Sequence, residues 1–212
     1  MEFLDILIYG VAVILSFYYR DKLKGSVLKY LPYFLLFDLI VGLVSILINV
    51  SFKLYNVWLI NILVNMELLF LFWLYYHLFK NHKYKKYTLI MAIVYESVYI
   101  SGIYLSDSWN NYLEFPFFIG SLFMIIILML FILEMLSSDD FLYIHKYTVF
   151  WITVAYLFYL IIPFPLSFWT YLFYKYDSTY LMQLYPTIQT IANLMMYFTL
   201  IFGFIWSKKR YK

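Results

Sequence analysis

Seven apolar runs of about 17–24 residues, separated by short polar stretches, dominate this 212-residue sequence, and each is near the ~20 residues a helix needs to cross a bilayer's hydrocarbon layer. Composition points the same way. The chain is 66% hydrophobic, 25% aromatic and only 13% charged, against roughly 25% charged residues in soluble domains, so a water-soluble globule is ruled out. The reading is all-α: a polytopic, seven-transmembrane-helix bundle forming one transmembrane domain over residues 1–212. Its spans are expected at about 3–19, 30–50, 56–79, 88–105, 114–136, 148–169 and 186–206. They use most of the chain and leave no room for a soluble catalytic, nucleotide-binding or DNA-binding domain.

Orientation follows from the basic residues, because Lys and Arg in short loops stay on the cytoplasmic side. The clusters Arg20, Lys22, Lys24, Lys29 and Lys80, Lys83, Lys85, Lys86 fall on the same side as Lys146 and the tail Lys208-Lys209-Arg210-Tyr211-Lys212. Only Lys53 and Lys175 fall on the other. Seven spans with the N-terminus outside and the C-terminus in the cytoplasm fit this distribution; an even number would put two of the clusters on the wrong side. Because Met1-Glu2 precedes the first apolar run and its basic cluster follows it, that run is expected to be an uncleaved anchor. Aromatic belts are expected at Tyr55, Trp58, Trp109, Tyr112, Trp169 and Tyr171 on the outer side. Inner-side counterparts are Tyr18, Tyr19, Tyr75, Tyr76, Tyr147, Trp151 and Trp206.

Pro163-Phe164-Pro165 should break the sixth span near its outer end. The stretch Tyr171 to Tyr185 is expected to lie on the membrane surface or to cap the outer mouth of the bundle. A weak echo pairs the second span with the sixth and the third with the seventh: Lys29-Tyr30 with Lys146-Tyr147, and Leu54-Tyr55-Asn56 with Leu184-Tyr185-Pro186. Two three-helix units joined by the fourth span would produce it, as would biased composition.

Chemistry is sought first among ionisable groups at membrane depth, each costing about 2.5–3.5 kcal/mol at a helix centre. Asp5, Asp38, Glu67 and Glu96 qualify by depth, whereas Glu134 lies at an inner end where water is within reach. No lysine or arginine lies in a span core, so the acids must be protonated, hydrogen-bonded, hydrated or neutralised by a bound cation. In the third span Asn61 and Asn65 share a face, while Glu67 lies about 200° from Asn65. A helix polar on two sides should be central. Asp38, Gln189 and Asn193 are its expected polar neighbours, and the candidate ligand- or ion-binding residues are Glu67, Glu96, Asp38, Asn61, Asn65 and Asn193. The plainer alternative is that the asparagines only join helices, at about 0.6–2 kcal/mol per hydrogen bond.

Several functions are excluded. The chain has no cysteine, hence no disulfide, thiolate site or palmitoylation. His77, His82 and His145 are dispersed and lack HExxH spacing, GxSxG and P-loop motifs are missing, and the seventh span has no lysine for a retinal Schiff base. No catalytic residue, metal site or cofactor is expected, and a net charge of +3 is too small to argue for nucleic acid.

The segments Glu67-Leu-Leu-Phe-Leu-Phe-Trp-Leu-Tyr-Tyr76, Thr148-Val-Phe-Trp-Ile-Thr153 and Ile201-Phe-Gly-Phe-Ile-Trp-Ser-Lys-Lys-Arg210 resemble a group of small, uncharacterised seven-span inner-membrane proteins of Bacteroidota. The resemblance runs over nearly the whole chain. It implies a multi-pass protein of a bacterial inner membrane and carries over no functional residue.

The first expectation is therefore a non-enzymatic membrane protein that binds a ligand, ion or partner at an intramembrane polar site. It would signal to a cytoplasmic protein through its basic loops and tail. The alternatives are a small-solute or cation transporter of three-plus-one-plus-three design coupled through Glu67 and Glu96, and a homo-oligomeric pore or defence effector.

Overall fold

The computed structural model describes residues 2–52, 56–105, 112–137, 141–165 and 179–208, and these are almost entirely helical. In chain order the helices are α1 (Glu2–Tyr18), the short α2 (Arg20–Leu23), α3 (Leu31–Phe52), α4 (Val57–Leu78), α5 (His82–Leu105), α6 (Glu114–Leu136), α7 (Thr148–Ile161) and α8 (Thr179–Trp206). Strand pairing among the described residues is confined to one parallel bridge, Tyr147 with Lys208.

Among the described residues, five helical segments are long and apolar enough to cross a membrane: Val27–Asn49, Val57–Leu78, His82–Leu105, Glu114–Leu136 and Pro186–Trp206. At 1.5 Å per residue α4 is about 33 Å long, matching a ~30 Å hydrocarbon layer. α1 and α7 are apolar but shorter. Apolar side chains also point outward at helical spacing, such as Ile40, Val44 and Leu47 on α3 and Phe198, Phe202 and Ile205 on α8. Such stripes are unfavourable against water and neutral against lipid tails, so the chain reads as a membrane protein.

Several boundaries differ from expectation. The cluster Lys83, Lys85, Lys86 is no loop but the first turns of α5, because Asn81 caps that helix. Its Oδ1 accepts the Lys83 N–H at 2.9 Å and its carbonyl accepts the Lys85 N–H at 3.1 Å. α7 ends at Ile161, two residues before Pro163, and spans 14 residues, about 21 Å, too short on its own for a full crossing. α8 starts at Thr179 and runs through Pro186, so residues 179–185 belong to that helix. Residues 171–178, the rest of the expected surface stretch, and 106–111 lie outside the described residues.

The helices group into two compact units, one of Met1–Tyr33 with Leu128–Lys212, the other of Phe34–Ile127. They do not divide the chain into the two three-helix repeats of the sequence echo. In the first unit α8 packs on both α1 and α7. Tyr9 of α1 stacks on Tyr197 of α8 at 4.4 Å, and Lys22, just past α1, donates to the Phe204 and Ile205 carbonyls at 2.6 and 3.1 Å, so α1 and α8 run parallel. α7 runs antiparallel to α8, since Thr148 at its start bonds Ser207 at 2.7 Å and the Lys208 N–H reaches the Lys146 carbonyl at 2.8 Å. Gly203 makes this approach close: a Cβ there would collide with the Trp151 side chain.

In the second unit, Asn56 before α4 donates to the Ser45 carbonyl and hydroxyl of α3, each at 2.8 Å, and Phe34 stacks on Phe70 at 3.9 Å, making α3 and α4 antiparallel. α4 packs on α5 with Phe72 against Tyr95, ring centroids 5.7 Å apart. Gly120 of α6 brings three helices together, because a Cβ at that position would lie 2.6 Å from the Tyr95 ring and 2.7 Å from Leu68.

Candidate functional site

The polar residues of α4 build the site from one end of the second unit. Asn61 is buried and acts as a joint: its Oδ1 accepts the Leu113 N–H at 3.0 Å just before α6, and its carbonyl accepts the Tyr99 hydroxyl of α5 at 3.3 Å. Thus one residue, through its side-chain amide and its backbone carbonyl, ties α4 to the start of α6 and to α5.

One turn along the same face, Asn65 lines a pocket with Asn61, Val64, Tyr95, Tyr99, Tyr112, Leu113, Pro116 and Phe117. The pocket is open on one side and holds about 190 Å³ of unfilled space including its mouth, below the roughly 300–1,000 Å³ of organic-ligand sites. It suits an occupant the size of a water molecule or a small ion. The Asn65 Oδ1 is shielded from solvent and has no hydrogen-bond partner in the protein. Leaving such an acceptor unmet costs about 1–3 kcal/mol.

Glu67 is buried on a second stripe of α4 with Leu71, Leu74, Tyr75 and Leu78. Glu96 follows Tyr95 on α5, is half-buried, and keeps its Oε2 shielded and without a partner. Both carboxyls lie within electrostatic reach of Tyr95. No basic side chain lines the pocket.

The six candidates therefore separate. Asn61 and Asn65 share the pocket, and Glu67 and Glu96 share Tyr95. Asp38 is half-buried on α3, engaged in an interaction of its own, and does not line the pocket. Asn193 belongs to the first unit, where it accepts a hydrogen bond from Gln189 of its own helix at 3.1 Å. α4 is enclosed on two sides but not all round, since Ile62, Met66 and Trp73 form an exposed stripe. Tyr75, expected in an aromatic belt, is fully buried, whereas Tyr18 and Trp206 are exposed as belt residues should be. Glu134 has one shielded oxygen and an interaction within the protein. His77 is exposed and sits against Trp73 and Tyr76, with its Nδ1 2.8 Å from the Trp73 carbonyl oxygen.

Sequence reasoning missed the tyrosines. Tyr95 and Tyr99 are one turn apart in the middle of an apolar run, far from where an interface phenol sits, and that spacing was the available signal. It also missed Ser121, buried on α6 with an unpartnered hydroxyl. Elsewhere, Thr88, Ser97, Ser101, Thr153 and Thr199 hide theirs on the carbonyl four residues back. Among the described residues no three His, Asp or Glu converge as a metal site.

No protein-family model, no curated protein and no solved structure matches this chain.

Proposed function

We propose that this chain is a non-enzymatic, seven-span protein of a bacterial inner membrane that binds a small polar or cationic ligand beside α4 and signals its occupancy to a cytoplasmic protein. The reading is carried by one observation: Asn65, in a pocket edged by tyrosines, has a shielded acceptor without a partner in the protein, and Glu96 on the neighbouring helix has another. Burial of unmet oxygens is costly, so a retained set of them favours a bound donor over a purely structural role. The N-out, C-in orientation is supported by the first unit, where Arg20, Lys22, Lys24, Lys146 and Lys208 gather where α1 and α8 end and α7 begins. That basic end is the surface for an acidic partner.

The cysteine-free chain makes the topology directly testable. Single cysteines at positions 24, 83 and 143 should react with an impermeant maleimide only after the inner face is exposed, and one at position 110 should react from outside. Function is tested in proteoliposomes. Ligand-dependent stabilisation without flux supports the binding reading, substrate-dependent flux lost in Glu67→Gln replaces it with transport, and substrate-independent leak replaces it with a pore.

A further inference from the structure

The pocket beside Asn65 constrains its occupant more tightly than the general reading does. Its free polar atom is an acceptor, so the missing group is a donor. Its walls include Tyr95, Tyr99, Tyr112 and Phe117, whose ring faces attract a cation. Ser121 lies one turn beyond Phe117 on the same face of α6, is buried, and carries a second partnerless oxygen. The unfilled space excludes a bulky organic molecule. A neutral water would meet the acceptor but gain little from the rings. An alkali ion would exchange a full hydration shell for one or two oxygens. An ammonium group donates to scattered acceptors and stacks its remaining charge on aromatic faces.

From these features we infer that the pocket binds a single ammonium group, either the free ion or the head of a short primary amine. The inference rests on the proposed binding role of α4. Tyr112 and Leu113, the end of the connection assigned to the outer side, are part of the pocket's lining, so entry is expected from outside the cell.

The test is titration of the full chain in nanodiscs with ammonium chloride, methylammonium, potassium and tetramethylammonium at fixed ionic strength, reading tyrosine fluorescence and the melting temperature. Ammonium and methylammonium are expected to saturate at least about tenfold below potassium, with tetramethylammonium excluded by size. Asn65→Leu, close in shape but without the acceptor, should weaken ammonium about tenfold or more while melting like the parent. Tyr99→Phe, which keeps the ring, should retain most of the binding. Should Asn65→Leu fail to fold, Tyr112→Leu removes a wall instead and should weaken binding as well. Equal responses to ammonium and potassium, or unchanged ammonium binding in a folded Asn65→Leu, overturn the inference and leave the pocket holding water. If ammonium fails yet another ligand class stabilises the chain through Glu67 or Glu96, only this inference falls. If none does, the broader reading falls too.

Discussion

The two compact units differ in how far their polar groups are tied down. In the first, Thr148 pairs with Ser207, Lys22 covers two carbonyls at the end of α8, the Trp151 indole donates to the His145 carbonyl at 2.7 Å, and Lys208 is tied to Lys146. In the second, Asn56 and Asn61 are equally committed, yet Asn65, Glu96 and Ser121 keep oxygens without partners a short distance away. The first unit also shields one oxygen each of Asp5 and Glu134, but both residues are engaged elsewhere in the protein, whereas the second is fastened at one end and leaves Asn65, Glu96 and Ser121 with unmet oxygens further along. Binding capacity inside a membrane protein is thus recognised less by how polar a helix is than by which polar atoms its own fold leaves unmet.

The sharpest way to break the comparison is to attack the fastening itself. Gly203→Ala drives a methyl group into Trp151, near its backbone as well as its side chain, and should destabilise the first unit by about 3 kcal/mol, read as a lowered melting temperature in detergent. Next comes Asn61→Leu, which strands the Leu113 N–H and should cost about 2 kcal/mol and increase hydrogen exchange at the start of α6. Lys22→Met uncovers the Phe204 and Ile205 carbonyls at the C-terminal end of the α8 dipole, a loss of about 1 kcal/mol visible as fraying of α8. Partial burial already holds the Lys22 ammonium below its ordinary pKa, so the site gives up some solvation to make these contacts. Smallest is Asn65→Leu, for which the melting temperature should stay level or rise slightly because an unmet acceptor is removed. A drop as large as that of Asn61→Leu would show Asn65 to be another fastener.

Periodicity and length located the helices well where local signals and packing agree. α4 and α6 match their expected runs to within a residue at each end. Errors arose where a small local device outweighed composition. Asn81 starts α5 six residues early by capping it, so a basic segment that reads as loop is helical. α8 tolerates Pro186, which removes only the N–H reaching back to residue 182. Tyr75 reads as an interface residue by its neighbours, but the stripe Glu67, Leu71, Leu74, Leu78 carries it inside. For the site, polar asparagines in an apolar run were conspicuous, and two of them do line the pocket. The tyrosines, Pro116 and Phe117 were not, because convergence depends on which helices pack and in what register. No single run records that.

Between α4 and α5 only Phe79, Lys80 and Asn81 intervene, and α5 is the least apolar of the five long helices. A turn that tight, between helices packed on each other, makes the two a helical hairpin suited to entering a bilayer as a pair. The strongly apolar α4 would then carry its more polar sister across, so an insertion that lengthens this turn should lower the share of chains in which α5 is inserted.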